Sequence, residues 1–284
     1  MQNRINIKST LFAVCLVSIC WLLSLSSCTK SNDSTTKMTN IQELAKEHSA
    51  ALAYFYDTAI SNGLVFDVDV VKCTTEDSNV IDENMIANIL CDYNFKIPST
   101  TIKIPIVHTK SGDSISNNYT DALDDFLTKI VSDNSFSSFD CFSELVLSSM
   151  ERISNNSILN EYHEFTELAL YILIDSYDYW INQEKFAEWV TTICTKEQQY
   201  QIALAIGHPE LVSTTKSSGA DMRAWADMCK SNDEATNGLL SNAIKSDSWG
   251  LAGSAVGGKI FGGLGMASCL FGAAWSSIGT LLGI

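Results

Sequence analysis

A mainly α fold is what this sequence predicts: a helical bundle-like domain with at most a minor two-stranded β element, followed by a glycine-rich apolar helix or helical hairpin. Three observations carry the expectation. Through most of 40–245 the apolar residues recur at spacings of three and four, the helical period. Only 3 prolines interrupt 284 residues, so few helices need end or kink at one. Ten of the 15 glycines crowd between Gly250 and Gly283, which leaves the preceding body with few helix-weakening positions.

Residues 1–28 read as an export signal. Arg4 and Lys8 precede an apolar run over 11–23 that is too short for an ordinary spanning helix. Small residues follow, in Leu25-Ser26-Ser27-Cys28. This tetrapeptide resembles the lipobox of bacterial lipoproteins, and the resemblance, confined to about the first tenth of the chain, implies that Cys28 is acylated and becomes the mature N-terminus. Two or three acyl chains would hold the protein on a bilayer far more stably than one, because each buried methylene contributes about 0.8 kcal/mol. Thr29 stands where an aspartate retains enterobacterial lipoproteins in the inner membrane, so the resemblance implies an outer-membrane address. Only Asp33 among 29–33 is acidic, which leaves both periplasmic and surface facings open.

Removing the signal takes away two basic residues and no acids, deepening the net charge from −15 to −17. Nucleic acid is a poor partner for such a chain, since phosphate binding draws on clustered Lys and Arg. The 9 cysteines contain no CxxC pair, which argues against a zinc ribbon or a thioredoxin-type site. Cys73, Cys91, Cys141, Cys194, Cys229 and Cys269 are expected to be mostly buried thiols, with one or two disulfides an open alternative in an oxidising compartment.

Residues 29–39 are polar and predict a flexible tether. Asn40 with Glu43 suits a helix start, after which Ile41, Leu44, Ala45, His48, Ala51, Leu52, Phe55 and Ala59 form one buried stripe. Alternation over 64–71 and at Ile102, Ile104 and Ile106 predicts a small ribbon, with Pro105 confining one strand to an edge. Helices follow around Met85 to Leu90, Ala122 to Val131 and Phe142 to Ile153. The run 168–174 is apolar on every side, predicting a central helix surrounded by the others. Thr195 with Gln198 forms a capping box, and Gly207 followed by Pro209 ends that helix.

The tail, 246–284, carries small residues at the spacing that lets helix backbones meet: Gly253 with Gly257, Gly258 with Gly262, and Gly279 with Gly283. Ser254, Gly258 and Gly262 line one face, and Ser268, Gly272 and Ser276 continue the ridge. The pattern resembles the glycine zippers of membrane-active peptides and of two-peptide class II bacteriocins, although no double-glycine leader site precedes it. From Ile260 onward 25 residues are uncharged, about 37 Å of helix and enough to span hydrocarbon. One continuous helix is the favoured expectation; a hairpin broken at Gly262-Gly263-Leu264-Gly265, and a tail folded back onto the domain, are the alternatives.

No pattern of an enzyme family is present, and no cofactor or metal is expected. His163-Glu164-Phe165-Thr166-Glu167 begins like a zinc-protease motif, yet Glu167 occupies the place of the second histidine. A solvated helix face is the expectation there. His48, on an apolar stripe, is expected to be a satisfied core residue, and His208 a helix-end residue. Asp67 and Asp69 lack the rest of a calcium loop. The expected function is a membrane-anchored envelope lipoprotein whose tail inserts into membrane or mediates helix association. A binding or scaffold module with the tail in its own core is the first alternative, and an enzyme built on an unrecognised carboxylate site the second.

Overall fold

The computed structural model describes residues 32–66, 80–98, 102–105, 115–132, 138–212, 218–231, 234–257 and 265–282. The lipobox 25–28, Asp67, Asp69, Cys73, Ile106, His108, Gly258, Gly262 and Gly283 lie outside them. The chain divides after Asn40, and the unit described below is Ile41–Ile284. Eleven α-helices and no strands make up the described residues, so the fold is mainly α.

Helix α1, Asn32–Ser61, begins upstream of Asn40, so part of the expected tether is helical. Its stripe from Ile41 through Ala59 is buried as the spacing requires, and Gly63, at φ 62°, turns the chain so that the Leu64 amide reaches the Ala59 carbonyl at 2.8 Å. Of the expected ribbon, the described residues show two isolated bridges, Val65 with Val80 and Phe66 with Cys194. Phe66 pairs with the exit of a helix instead of a strand: its amide donates to Ile193 O at 2.7 Å and its carbonyl accepts from Thr195 N at 3.0 Å. Ile102 and Ile104 belong to no strand.

Helices α2 (Glu83–Asp92), α3 (Ile115–Ser132), α4 (Phe139–Met150) and α5 (Ser157–Glu161) follow. Each short one starts on a side chain that accepts first-turn amides: Asp82 from Met85, Ser138 from Cys141, and Asn156 from Ile158 and Leu159. Helix α6, His163–Tyr177, is the central one; Leu168, Ala169, Leu170, Ile172 and Leu173 have no exposed surface. It continues into a π-helical turn, Asp178–Asn182, closed by Gln183 N on Asp178 O at 2.8 Å. That turn aims Trp180 at Trp189 of α7 (Lys185–Ile193), and the Trp189 ring also stacks on Phe55 and Tyr56 of α1. Helix α8 (Lys196–Ala205) is capped by Thr195, whose side chain accepts the Gln198 amide, and ends at Gly207, φ 76°. Helix α9 (Ser218–Cys229) packs on α7.

The tail forms two helices, α10 (Glu234–Gly257) and α11 (Met266–Leu282). The favoured continuous helix over 260–284 is therefore corrected: Gly265 is not helical, and its carbonyl accepts the first-turn amides of Ser268 at 3.1 Å and Cys269 at 3.3 Å. The two helices pack chiefly on each other, and α10 also lies against α6 and α3. No helix among the described residues is long and apolar enough to cross a membrane.

Among the described residues, close backbone contact in the tail is seen at Gly250 and Gly272, while Gly258, Gly262 and Gly283 of the GxxxG pairs lie outside them. A Cβ on Gly250 would stand 2.5 Å from the Gly272 carbonyl oxygen and 2.5 Å from Ser276 Cβ. One on Gly272 would collide with the Ser254 side chain. Gly250 and Ser254 on α10 thus interlock with Ser276 and Gly272 on α11, a small-residue pair one turn apart on each helix and in antiparallel order. Gly253 instead lies beside the Trp249 ring of its own helix, which a Cβ there would meet at an ordinary van der Waals distance of 3.6 Å. Gly279 is buried within α11, and Gly257 is the last residue of α10.

Gly250→Ala and Gly272→Ala are each expected to lower the unfolding free energy by about 1–3 kcal/mol through overpacking. Gly253→Ala is expected to leave it unchanged or raise it by up to about 1 kcal/mol through helix propensity. Urea unfolding of the three variants checks this, and equal effects at all three would contradict the interlock.

Candidate functional site

The most concentrated polar chemistry inside the body is built on His48. The stripe of α1 carries this ring inward until no surface is exposed. Asp175 follows the apolar run of α6, and Asp247 lies one turn before Gly250 on α10. Both carboxylates converge on the imidazole: Asp175 Oδ2 is 3.6 Å from Nδ1 and Asp247 Oδ2 is 3.5 Å from Nε2. These separations exceed hydrogen-bond lengths, so the attraction is that of an ion pair.

Each carboxylate also holds a serine. Ser49 donates to Asp175, and Ser176 donates to Asp247 Oδ2 at 2.5 Å. Ser277 of α11 and Trp180 of the π-turn extend the network, with Trp180 Nε1 donating to Ser277 Oγ at 3.1 Å. Ser248 Oγ donates to the Ala169 carbonyl at 2.7 Å. The result is a chain running from Ser49 through Asp175, His48 and Asp247 to Ser176, shared among α1, α6, α10 and α11. Asp247 is fully buried, whereas the Asp175 side chain is 18% exposed, so the chain touches water at one edge only.

Burial by itself pushes the His48 imidazole down, but the Asp247 and Asp175 carboxylates outweigh it and the net direction is up. Burial pushes the Asp247 carboxyl up, against the His48 charge and the hydrogen bonds of Ser176, Ser277 and Trp180. Both groups bind protons more tightly in the fold than outside it. Their contribution to stability is therefore complete below the unfolded values and is lost as pH rises through the folded ones. For His48 that loss begins above 6.5.

His163 Nε2 sits 3.3 Å from Glu167 on a partly exposed face of α6. His208 Nδ1 lies 2.8 Å from Glu210 beyond the end of α8. Among the described residues no group of three His, Cys, Asp or Glu is placed to hold a metal. Cys91 and Cys141 are exposed free thiols; Cys194, Cys229 and Cys269 are buried free thiols, each pushed up to about 12 by burial.

Sequence spacing puts His48 in the core but gives it no partner, and it singles out none of Asp175, Asp247, Ser49, Ser176 and Ser277. The available signal is an acid in line with an apolar helical stripe, at Asp175 directly after 168–174 and at Asp247 among buried neighbours Ile244, Leu251 and Ala252.

The His48 ring is expected to titrate above 6.5 when followed by NMR, and a midpoint at or below that value would remove the ion pair. His48→Ala is expected to cost about 3–5 kcal/mol, since it strands two carboxylates, one of them fully buried. A double-mutant cycle of His48→Ala with Asp247→Ala, measured by urea unfolding, should then show strong coupling.

Comparison of the chain with protein-family models, with curated proteins and with solved structures gives no match, so its own geometry carries the functional reading.

Proposed function

We propose that this chain is a lipid-anchored envelope protein in which Cys28 is acylated and residues 41–284 serve as a helical binding or scaffold module, with the glycine-rich tail built into the module's own core. The observation that carries the reading is the fit of Gly250 and Ser254 on α10 to Gly272 and Ser276 on α11. Those small residues are already used within the chain. Residues of both helices are also tied to the body, through Ser248 on Ala169, Trp180 on Ser277 and Lys245 on Asp124 at 2.8 Å.

Insertion of the tail into a bilayer would have to break these ties, and an insertion that took α10 with it would carry Asp247 and Lys245 into hydrocarbon, at the cost that charged residues near a bilayer centre bear. The order of charge, apolar run and small residues before Cys28 supports attachment by lipid instead. A catalytic use of the His48 cluster is disfavoured by its burial: a substrate has no surface of the ring or of Asp247 to approach.

Two measurements test the proposal. Labelled palmitate should enter the chain and disappear with Cys28→Ser, which should also release the protein from the membrane fraction. The lipid-free mature chain should be monomeric in detergent-free buffer and fail to bind liposomes. Persistent membrane association of the Cys28→Ser chain would return the tail to the role of membrane segment.

A further inference from the structure

The hairpin of α10 and α11 is held on the body by polar contacts that differ in kind. Ser248 on Ala169 and Trp180 on Ser277 are neutral hydrogen bonds, indifferent to pH over the range in which proteins fold. Lys245 pairs with Asp124 and Thr128 of α3 at a partly exposed edge. The contact of Asp247 with His48 joins α10 to α1, is wholly buried, and exists as an attraction only while the ring carries a proton. The charged groups that face the ring are Asp175 from α6 and Asp247 from α10; α11 presents the uncharged Ser277 to the network.

With the ring neutral, Asp247 is a buried carboxylate supported by two hydroxyls and an indole. Undocking α10 would let it hydrate, whereas its partner Asp175 already touches water at the edge through which the proton leaves. The hairpin is suited to move as one piece, because α10 and α11 pack more extensively on each other than on any other element and interlock at Gly250 and Gly272.

We propose that the contact between His48 and Asp247 is a proton-operated catch: loss of the ring's proton raises the population of a state in which the α10–α11 hairpin is undocked from the body while the remaining helices stay folded. The proposal rests on the reading that the tail packs within the body.

The buried thiols report it without any substitution. Cys269 lies on α11 beside Tyr119 of α3, at the seam the undocking opens, while Cys194 and Cys229 are buried at the ends of α7 and α9. The full mature chain is treated with iodoacetamide across pH 6 to 9, each cysteine is followed by peptide mass, and its rate is divided by that of a free-thiol peptide at the same pH. Cys269 labelling is expected to rise with pH, by up to about tenfold per pH unit, while the docked ring titrates, then level, with Cys194 and Cys229 unchanged. In Asp247→Asn, which removes the buried charge but keeps the shape, the rise should vanish.

A rise shared by all three cysteines would mean global unfolding and would overturn the catch while leaving the packed tail intact. Protection of Cys269 that ignores pH would overturn it as well. Labelling of Cys269 at the free-peptide rate already at pH 6 would sink the packed tail itself, and the catch with it.

Discussion

The rest of the body depends on how near two backbones come at Gly250 and Gly272. Helices whose facing residues carry ordinary side chains keep their axes about 8–10 Å apart. Here glycine faces glycine with a serine one turn away on each side, and even one added Cβ has no room. Of this narrow pair, α10 lies against α6 and α3 and α11 against α2. The fit also sets the rotation of α10, and with it the direction of Asp247, one turn from Gly250.

The charge buried at that turn would be intolerable alone. A carboxylate without exposed surface needs a counter-charge and donors for its lone pairs, and both arrive from separate parts of the chain: the ring from α1, hydroxyls from α6 and α11, an indole from the π-turn. An apolar face tolerates sliding by a turn because one aliphatic residue replaces another. An ion pair does not, since a slip strands both charges. The network therefore fixes the register of α1, α6, α10 and α11 more sharply than their leucines and isoleucines could.

Much of this was legible in the sequence. The α1 stripe, the all-apolar run of α6, and the Thr195 and Gly207 helix ends are local patterns with local causes, and the fold places them accordingly. The β ribbon was less so: among the described residues of 64–71, Val65 and Phe66 bridge to Val80 and to the exit of α7 rather than to a partner strand. The tail was legible in part: Ser254, Gly272 and Ser276 of its small-residue ridge do meet, but Gly250 was not singled out. It offers small residues at so many three- and four-residue intervals that several faces look equally able to pack; the one used, Gly250 with Ser254, is selected by Asp247 and Ser248 on the same turns, whose partners lie far away in sequence. The His48 cluster was half legible: a histidine on a buried stripe announces a need for partners, but spacing alone cannot say which acids answer it.

Small-residue ridges have two uses, and the polar residues sharing the helix discriminate them. In a bilayer such a ridge drives association because lipid leaves backbone contact and hydrogen bonding as the main attractions. In a water-soluble core it serves closeness, and the attraction comes from the apolar surface buried around it. Helix α10 carries Lys245 and Asp247 within two turns of Gly250, each with a charged partner on another helix of the body. Charges so placed are expensive in hydrocarbon and well compensated here. That argues for a tail packed against its own core, where each of these charges has its partner.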